Sequence, residues 1–168
     1  MKHIALFCMA FILIASQSFA QSKKAAAYNN KIIDIQHSLT PDIVAFFKAF
    51  DKGTLEELKA KKDLLSKDFD KSIKKVSAMK SFEGDSSLKV AALNWFKLYK
   101  SSFDTEYNHI LPLVADRDRS KEDHAKMDAL TDHLVKREEE IDANFEKAQE
   151  DFSKKYNLEL KDYPISSK

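Results

Sequence analysis

Cysteine, glycine and proline are almost missing from this chain of 168 residues, which holds one, two and three of them respectively. The lone Cys8 lies inside an apolar run at the N-terminus, so the rest of the chain has no thiol. That excludes disulfides, thiolate metal sites, cysteine nucleophiles and covalently attached haem. Glycine is confined to Gly53 and Gly84. A chain that avoids glycine elsewhere avoids phosphate loops and strand bends and favours long helices. The motifs G-x-S-x-G, H-E-x-x-H and the P-loop are absent. An excess of one charge is missing too: 28 Lys+Arg stand against 27 Asp+Glu, interleaved throughout. Nothing forms the basic field that nucleic acid or an anionic membrane requires.

What is present begins with a targeting pattern. Lys2 and His3 precede an apolar stretch, residues 4–15, too short to span a bilayer. Ser16-Gln17-Ser18-Phe19-Ala20 follows, with small residues at −3 and −1. This predicts a signal peptide over residues 1–20, cleaved between Ala20 and Gln21, and an exported protein, periplasmic or at the cell surface. Cys8 sits in the middle of the apolar run and not at its end, so lipid attachment is not expected. No second apolar run is long enough to cross a membrane. Residues 21–160, with 43% apolar content in the whole chain, suffice for one domain with a real core; residues 161–168 read as a flexible tail.

Four amphipathic stretches fill that domain. Gln21 to Ala27 is a polar, Ala-rich lead-in. The first helix runs from about Tyr28 to Phe50, with Ile32, Ile35, Leu39, Ile43 and Phe46 on one stripe. Pro41 kinks it or restarts it with Thr40 as cap. Thr54, with Glu57 three residues on, forms a capping box for the second helix, which ends near Met79. Asp85 or Ser86 caps the third, Leu88 to Val114, whose stripe includes Phe96, Tyr99, Phe103 and Tyr107. The fourth runs from about Lys121 to Tyr156, with Asn157 able to end it. Short connections between helices of this length predict an all-α fold, an up-down-up-down antiparallel four-helix bundle. Phe82, in the second connection, reads as a staple holding that loop down.

Chemistry is thin along these helices. Asp34-Ile35-Gln36-His37 and Glu106-Tyr107-Asn108-His109 both read acid-x-x-His, the half-motif of di-iron bundles. Helical geometry turns Asp34 and His37 toward water and sets the two half-motifs at different heights. His124, Asp128 and Asp132 share a face of the fourth helix but read as a solvated surface. Met79 and Met127, possible haem ligands, read first as core filler. No catalytic, metal or cofactor residue is assigned, and no cofactor is expected.

The informative polar residues instead interrupt the stripes. In the fourth helix Arg137 and Glu138 flank a gap between Leu134 and Ile141, level with Gln36 and Tyr99. This predicts a polar layer with the stem of Arg137 packed and its head hydrogen-bonded. In the second helix Lys62 fills a gap between Leu58 and Leu65 and points inward. Reflecting the second helix across the Gly84 turn sets Lys62 near Glu106, so a Lys62–Glu106 contact is expected, fixing register more than adding stability.

Tyr28-Asn29-Asn30-Lys31-Ile32-Ile33, the segment Phe82-Glu83-Gly84-Asp85-Ser86-Ser87-Leu88 with Ala91-Ala92, and Tyr99 followed by Glu106-Tyr107 carry a family likeness. Over most of the mature chain the sequence resembles a family of bacterial secreted or surface-associated helical proteins of unknown function. The resemblance implies export and a helical fold, and supplies no activity, cofactor or catalytic residue. The expected protein is an exported, non-catalytic bundle that acts by structure or by binding a protein or envelope partner, the alternative being a bundle-core carrier of a metal or non-covalent haem.

Overall fold

The computed structural model describes residues 2–159, with side chains from Ala20 onward. The expected tail, residues 161–168, lies outside the described residues, as do the side chains of nearly all of the expected signal peptide. The described chain is all-helical: α1 (Lys2–His37), α2 (Thr40–Lys52), α3 (Leu55–Ser77), α4 (Ser87–Asp104), α5 (Glu106–Ala115) and α6 (Lys121–Tyr156). Six segments therefore stand where four helices were expected.

Two interruptions account for the difference. The first separates α1 from α2. Pro41 has no N–H to give to the carbonyl four residues back, and the chain restarts with Leu39 as N-cap and Pro41 in the first turn. Thr40 is the first helical residue and not the cap. The second falls at Thr105, which no stripe announced. Its backbone departs from helical geometry (φ −119°, ψ −70°), and its hydroxyl donates to the Ser101 carbonyl at 2.7 Å. This back-bonding competes with the regular ladder and bends the helix between α4 and α5. The Ala-rich stretch 21–27, expected as a lead-in, is also helical. Ala25 is fully buried and Ser22 Oγ donates to the Tyr156 carbonyl at 2.8 Å, so alanine there serves close approach as well as propensity.

The remaining ends follow local chemistry. Thr54 and Glu57 cap α3 reciprocally, Oγ1 accepting from Glu57 N at 3.2 Å and Oε2 from Thr54 N at 2.8 Å. Between α3 and α4 the chain reverses through Phe82-Glu83-Gly84-Asp85. Glu83 and Gly84 both take positive φ (48° and 84°), and Phe82 and Asp85 exchange backbone hydrogen bonds of 2.9 and 2.8 Å. Two successive positive φ values define a type I′ reversal, which glycine adopts without strain. Phe82 packs its ring on Tyr28, Phe152 and Tyr156 at 5.4, 5.5 and 4.9 Å, closing that end of the molecule. Ser120 caps α6, and Asn157 ends it in the left-handed conformation (φ 55°).

The core follows the stripes: Phe46, Phe69, Phe96 and Phe152 are fully buried, with Leu58, Leu65, Leu88 and Leu111 between them. α3 packs on α4, α4 and α5 pack on α6, and α1 touches α3, α4 and α6. α2 packs on α3 and shares no comparable interface with α6. α2 and α6 do not pack closely on one another, and the molecule opens between them. Among the described residues no helix is long and apolar enough to cross a membrane.

Candidate functional site

A cavity of about 300 Å³ occupies that opening. From α2 come Ile43 and Phe47, and from α4 Trp95, Tyr99 and Phe103. Tyr107 of α5 and Glu138 of α6 complete the lining. Helical spacing explains the set. Trp95, Tyr99, Phe103 and Tyr107 follow at steps of four, one above the other along α4 and into α5. Their rings sit in contact: Trp95 to Tyr99 at 4.4 Å, Phe103 to Tyr107 at 4.7 Å. Phe47 lies across the opening, 6.4 Å from Tyr107, and is 46% exposed.

The polar side of the cavity is furnished by α6. Asp142 accepts from the Trp95 indole N–H at 2.6 Å and from the Tyr99 hydroxyl at 3.1 and 3.2 Å. Glu138, one turn earlier, has no hydrogen-bond or ion-pair partner among the described residues. Burial, and next the neighbouring Asp142 carboxylate, push its carboxyl up from 4.5 to about 7, with Arg137 opposing. Burial raises the phenols of Tyr99 and Tyr107 well above their usual value. Asp142 and then Glu138 add to the shift at Tyr99, and Glu138 adds to it at Tyr107.

Arg137 relieves Glu138 only in part, because its guanidinium is hydrogen-bonded to Glu106 Oε1. Thr105 Oγ1 lies against the other oxygen of the same carboxylate and shares its single proton between it and the Ser101 carbonyl. Glu106 is thus occupied on both sides. The expected Lys62–Glu106 contact is replaced by another. Lys62, 8% exposed, donates to Asn108 Oδ1 at 2.8 Å and pairs with Asp63 at 3.0 Å. Asn108 in turn donates to the Asp104 carbonyl at 2.5 Å. The break at Thr105 is the reason: it turns everything after it relative to α4, so Glu106 meets α6 and Asn108 meets α3. Gln36 is half-buried on α1, and its backbone carbonyl accepts from Leu39 N in the turn that ends α1. Its side chain takes no part in the network of Glu106, Arg137, Tyr99 and Asp142.

Of the residues singled out in sequence, the structure gathers Tyr99, Glu106, Arg137 and Glu138 around one region and leaves Lys62 and Gln36 outside it. Trp95, Phe103, Tyr107, Asp142, Ile43 and Phe47 were not singled out as site residues. A signal for Asp142 did exist: Glu138 and Asp142 are like charges at i and i+4 on one helix face, an unfavourable spacing that calls for an explanation. His109, Asp34, His124, Asp128 and Asp132 are exposed. Among the described residues no group of three or more histidine, cysteine, aspartate or glutamate side chains could hold a metal ion.

Chemically the cavity offers aromatic side chains, phenols that resist ionisation and one unpaired acid. Its volume is that of a small guest. Comparison with protein-family models, with curated proteins and with solved structures finds no match to this chain.

Proposed function

We propose that the protein is an exported, non-catalytic binding module of the bacterial envelope, periplasmic or at the cell surface, akin to the secreted helical family its sequence resembles. In this reading residues 1–20 are removed on export. The six segments then form four columns, α1–α2, α3, α4–α5 and α6, of an up-down-up-down bundle. The observation that carries the binding role is the aromatic cavity left where α2 parts from α6. A bundle built only to be rigid would fill that space, since interiors pack to the density of organic crystals. Here five aromatic rings and an unpaired carboxylate face an opening instead.

Purification of the untagged protein from the envelope fraction, followed by intact mass under denaturing and native conditions, tests this reading. The expected denatured mass is that of a chain beginning at Gln21. The native spectrum should include a fraction carrying extra mass, depleted by Phe47→Asp at the mouth. Retention of residues 1–20 in a cytoplasmic fraction overturns export. A Soret band or a stoichiometric metal overturns the non-metal reading in favour of a carrier.

A further inference from the structure

We propose that the cavity takes an amphipathic organic cation: an amine or quaternary ammonium on an apolar or aromatic body. This rests on the reading of the cavity as a binding site and adds the chemical class of its guest.

The walls give the first reason. Trp95, Tyr99, Phe103, Tyr107 and Phe47 line the cavity, and an aromatic ring attracts a cation through the negative end of its quadrupole, tryptophan most strongly. A cation within about 6 Å of such a face is attracted, most strongly where water is displaced.

Charge gives the second. Glu138 and Asp142 sit one turn apart on α6, and among the described residues neither is in a salt bridge. Asp142 is bonded to two neutral donors, the indole N–H and a phenol. The nearest guanidinium, Arg137, is engaged by Glu106. From the other walls, α4 and α5 contribute the phenols of Tyr99 and Tyr107, whose raised pKa values keep them neutral, and α2 contributes only Ile43 and Phe47. Above about pH 7, where Glu138 ionises, the site therefore carries negative charge that Arg137 offsets only in part. A neutral guest would bury Glu138 further without a partner, an anion would be repelled, and a cation supplies what is missing.

The donor set and size give the third. One free carboxylate among aromatic rings cannot furnish the six or more oxygens that calcium takes, nor the octahedron that magnesium demands. About 300 Å³ suits a small organic molecule at the lower end of ligand pockets.

Trp95 is the only tryptophan, so its fluorescence reports on this wall alone. The test titrates the protein at pH 8 with benzyltrimethylammonium, benzyl alcohol and phenylacetate, which share a ring and differ in charge, with calorimetry in parallel. The expected result is saturable binding of the cation, roughly tenfold or more tighter than the alcohol, and none of the anion. Glu138→Gln should weaken the cation roughly tenfold and leave the alcohol unchanged or tighter. Equal affinity of wild-type protein for cation and alcohol overturns the cation inference while leaving a binding cavity. No saturable change with any of the three overturns both. Comparison of the three ligands on wild-type protein stands even if the variant is poorly folded.

Discussion

Arg137 donates to Glu106 across the α5–α6 interface and forms no ion pair with Glu138, its own neighbour in sequence. One ion pair thus sets the charge of the cavity beside it. The Glu106 side chain is 14% exposed and that of Arg137 32%, so the pair is partly shielded from water.

Removing one partner should therefore cost more than removing both. Arg137→Met or Glu106→Gln should each destabilise the fold by about 1–3 kcal/mol, since a half-buried charge is left unpaired. The double variant should cost less than the sum. Urea denaturation of the four proteins measures the coupling; strict additivity would show that the two do not interact.

Glu138 should make the protein less stable as pH rises. Its folded pKa, about 7, lies above its ordinary 4.5, so between those values the folded chain holds a proton that the unfolded chain releases. Stability is then full below about pH 4.5 and falls through about pH 7, by at most on the order of 3 kcal/mol. Glu138→Gln should flatten this part of the profile and raise Tm at pH 8. An unchanged slope would place the carboxyl in water.

Asp85 should act in the opposite sense. Lys155, Ser87 Oγ and Ser87 N all donate to it, the lysine at 2.6 Å, and they hold its carboxyl down at about 2, below the ordinary 3.8. A depressed folded pKa gives stability that is present above about pH 4 and lost as pH falls toward 2. Asp85→Asn should remove that acid-side loss. It should also loosen the Phe82 turn from α6, seen as faster proteolysis within residues 80–86.

The two glycines should fail for different reasons. A Cβ on Gly53 would meet the Ala49 carbonyl oxygen at 2.5 Å, a backbone contact that cannot give way. Gly84 faces open space but sits at φ +84°. Gly84→Ala should cost roughly 1–2 kcal/mol, Gly84→Asn much less, because asparagine tolerates the left-handed region. Gly53→Ala and Gly53→Asn should be about equally harmful, at roughly 1–3 kcal/mol. Thermal melts of the four variants separate steric from conformational cost.

Period and caps made most of the fold legible. The Thr54–Glu57 box, the Gly84 reversal and Asn157 each act through groups within a few residues, and local chemistry is what a sequence displays. The break at Thr105 was hidden because a threonine inside a stripe is compatible with an unbroken helix; only the hydroxyl's choice of the Ser101 carbonyl bends it. That one choice also misdirected the site. Glu106 was oriented as if α4 continued, which pointed it at Lys62, whereas Asn108 takes the lysine and Arg137 takes the glutamate. Tyr99, Arg137 and Glu138 were found because they interrupt or edge a stripe. Asp142 and Phe47 were not, because their importance depends on the divergence of α2 from α6, a distance between columns that periodicity does not encode.

The break before α2 has a further consequence. With no N–H on Pro41, no hydrogen bond ties the first turn of α2 into the ladder of α1, and Leu39 N instead reaches the Gln36 carbonyl at 3.0 Å. α2 can then melt as a unit of its own while α1 stays wound, and its amides exchange with solvent deuterium ahead of those of α3. Because α2 carries Ile43 and Phe47, each such opening is also an opening of the cavity. A guest held against those two side chains slows deuterium uptake over residues 43–52 before it slows it anywhere else.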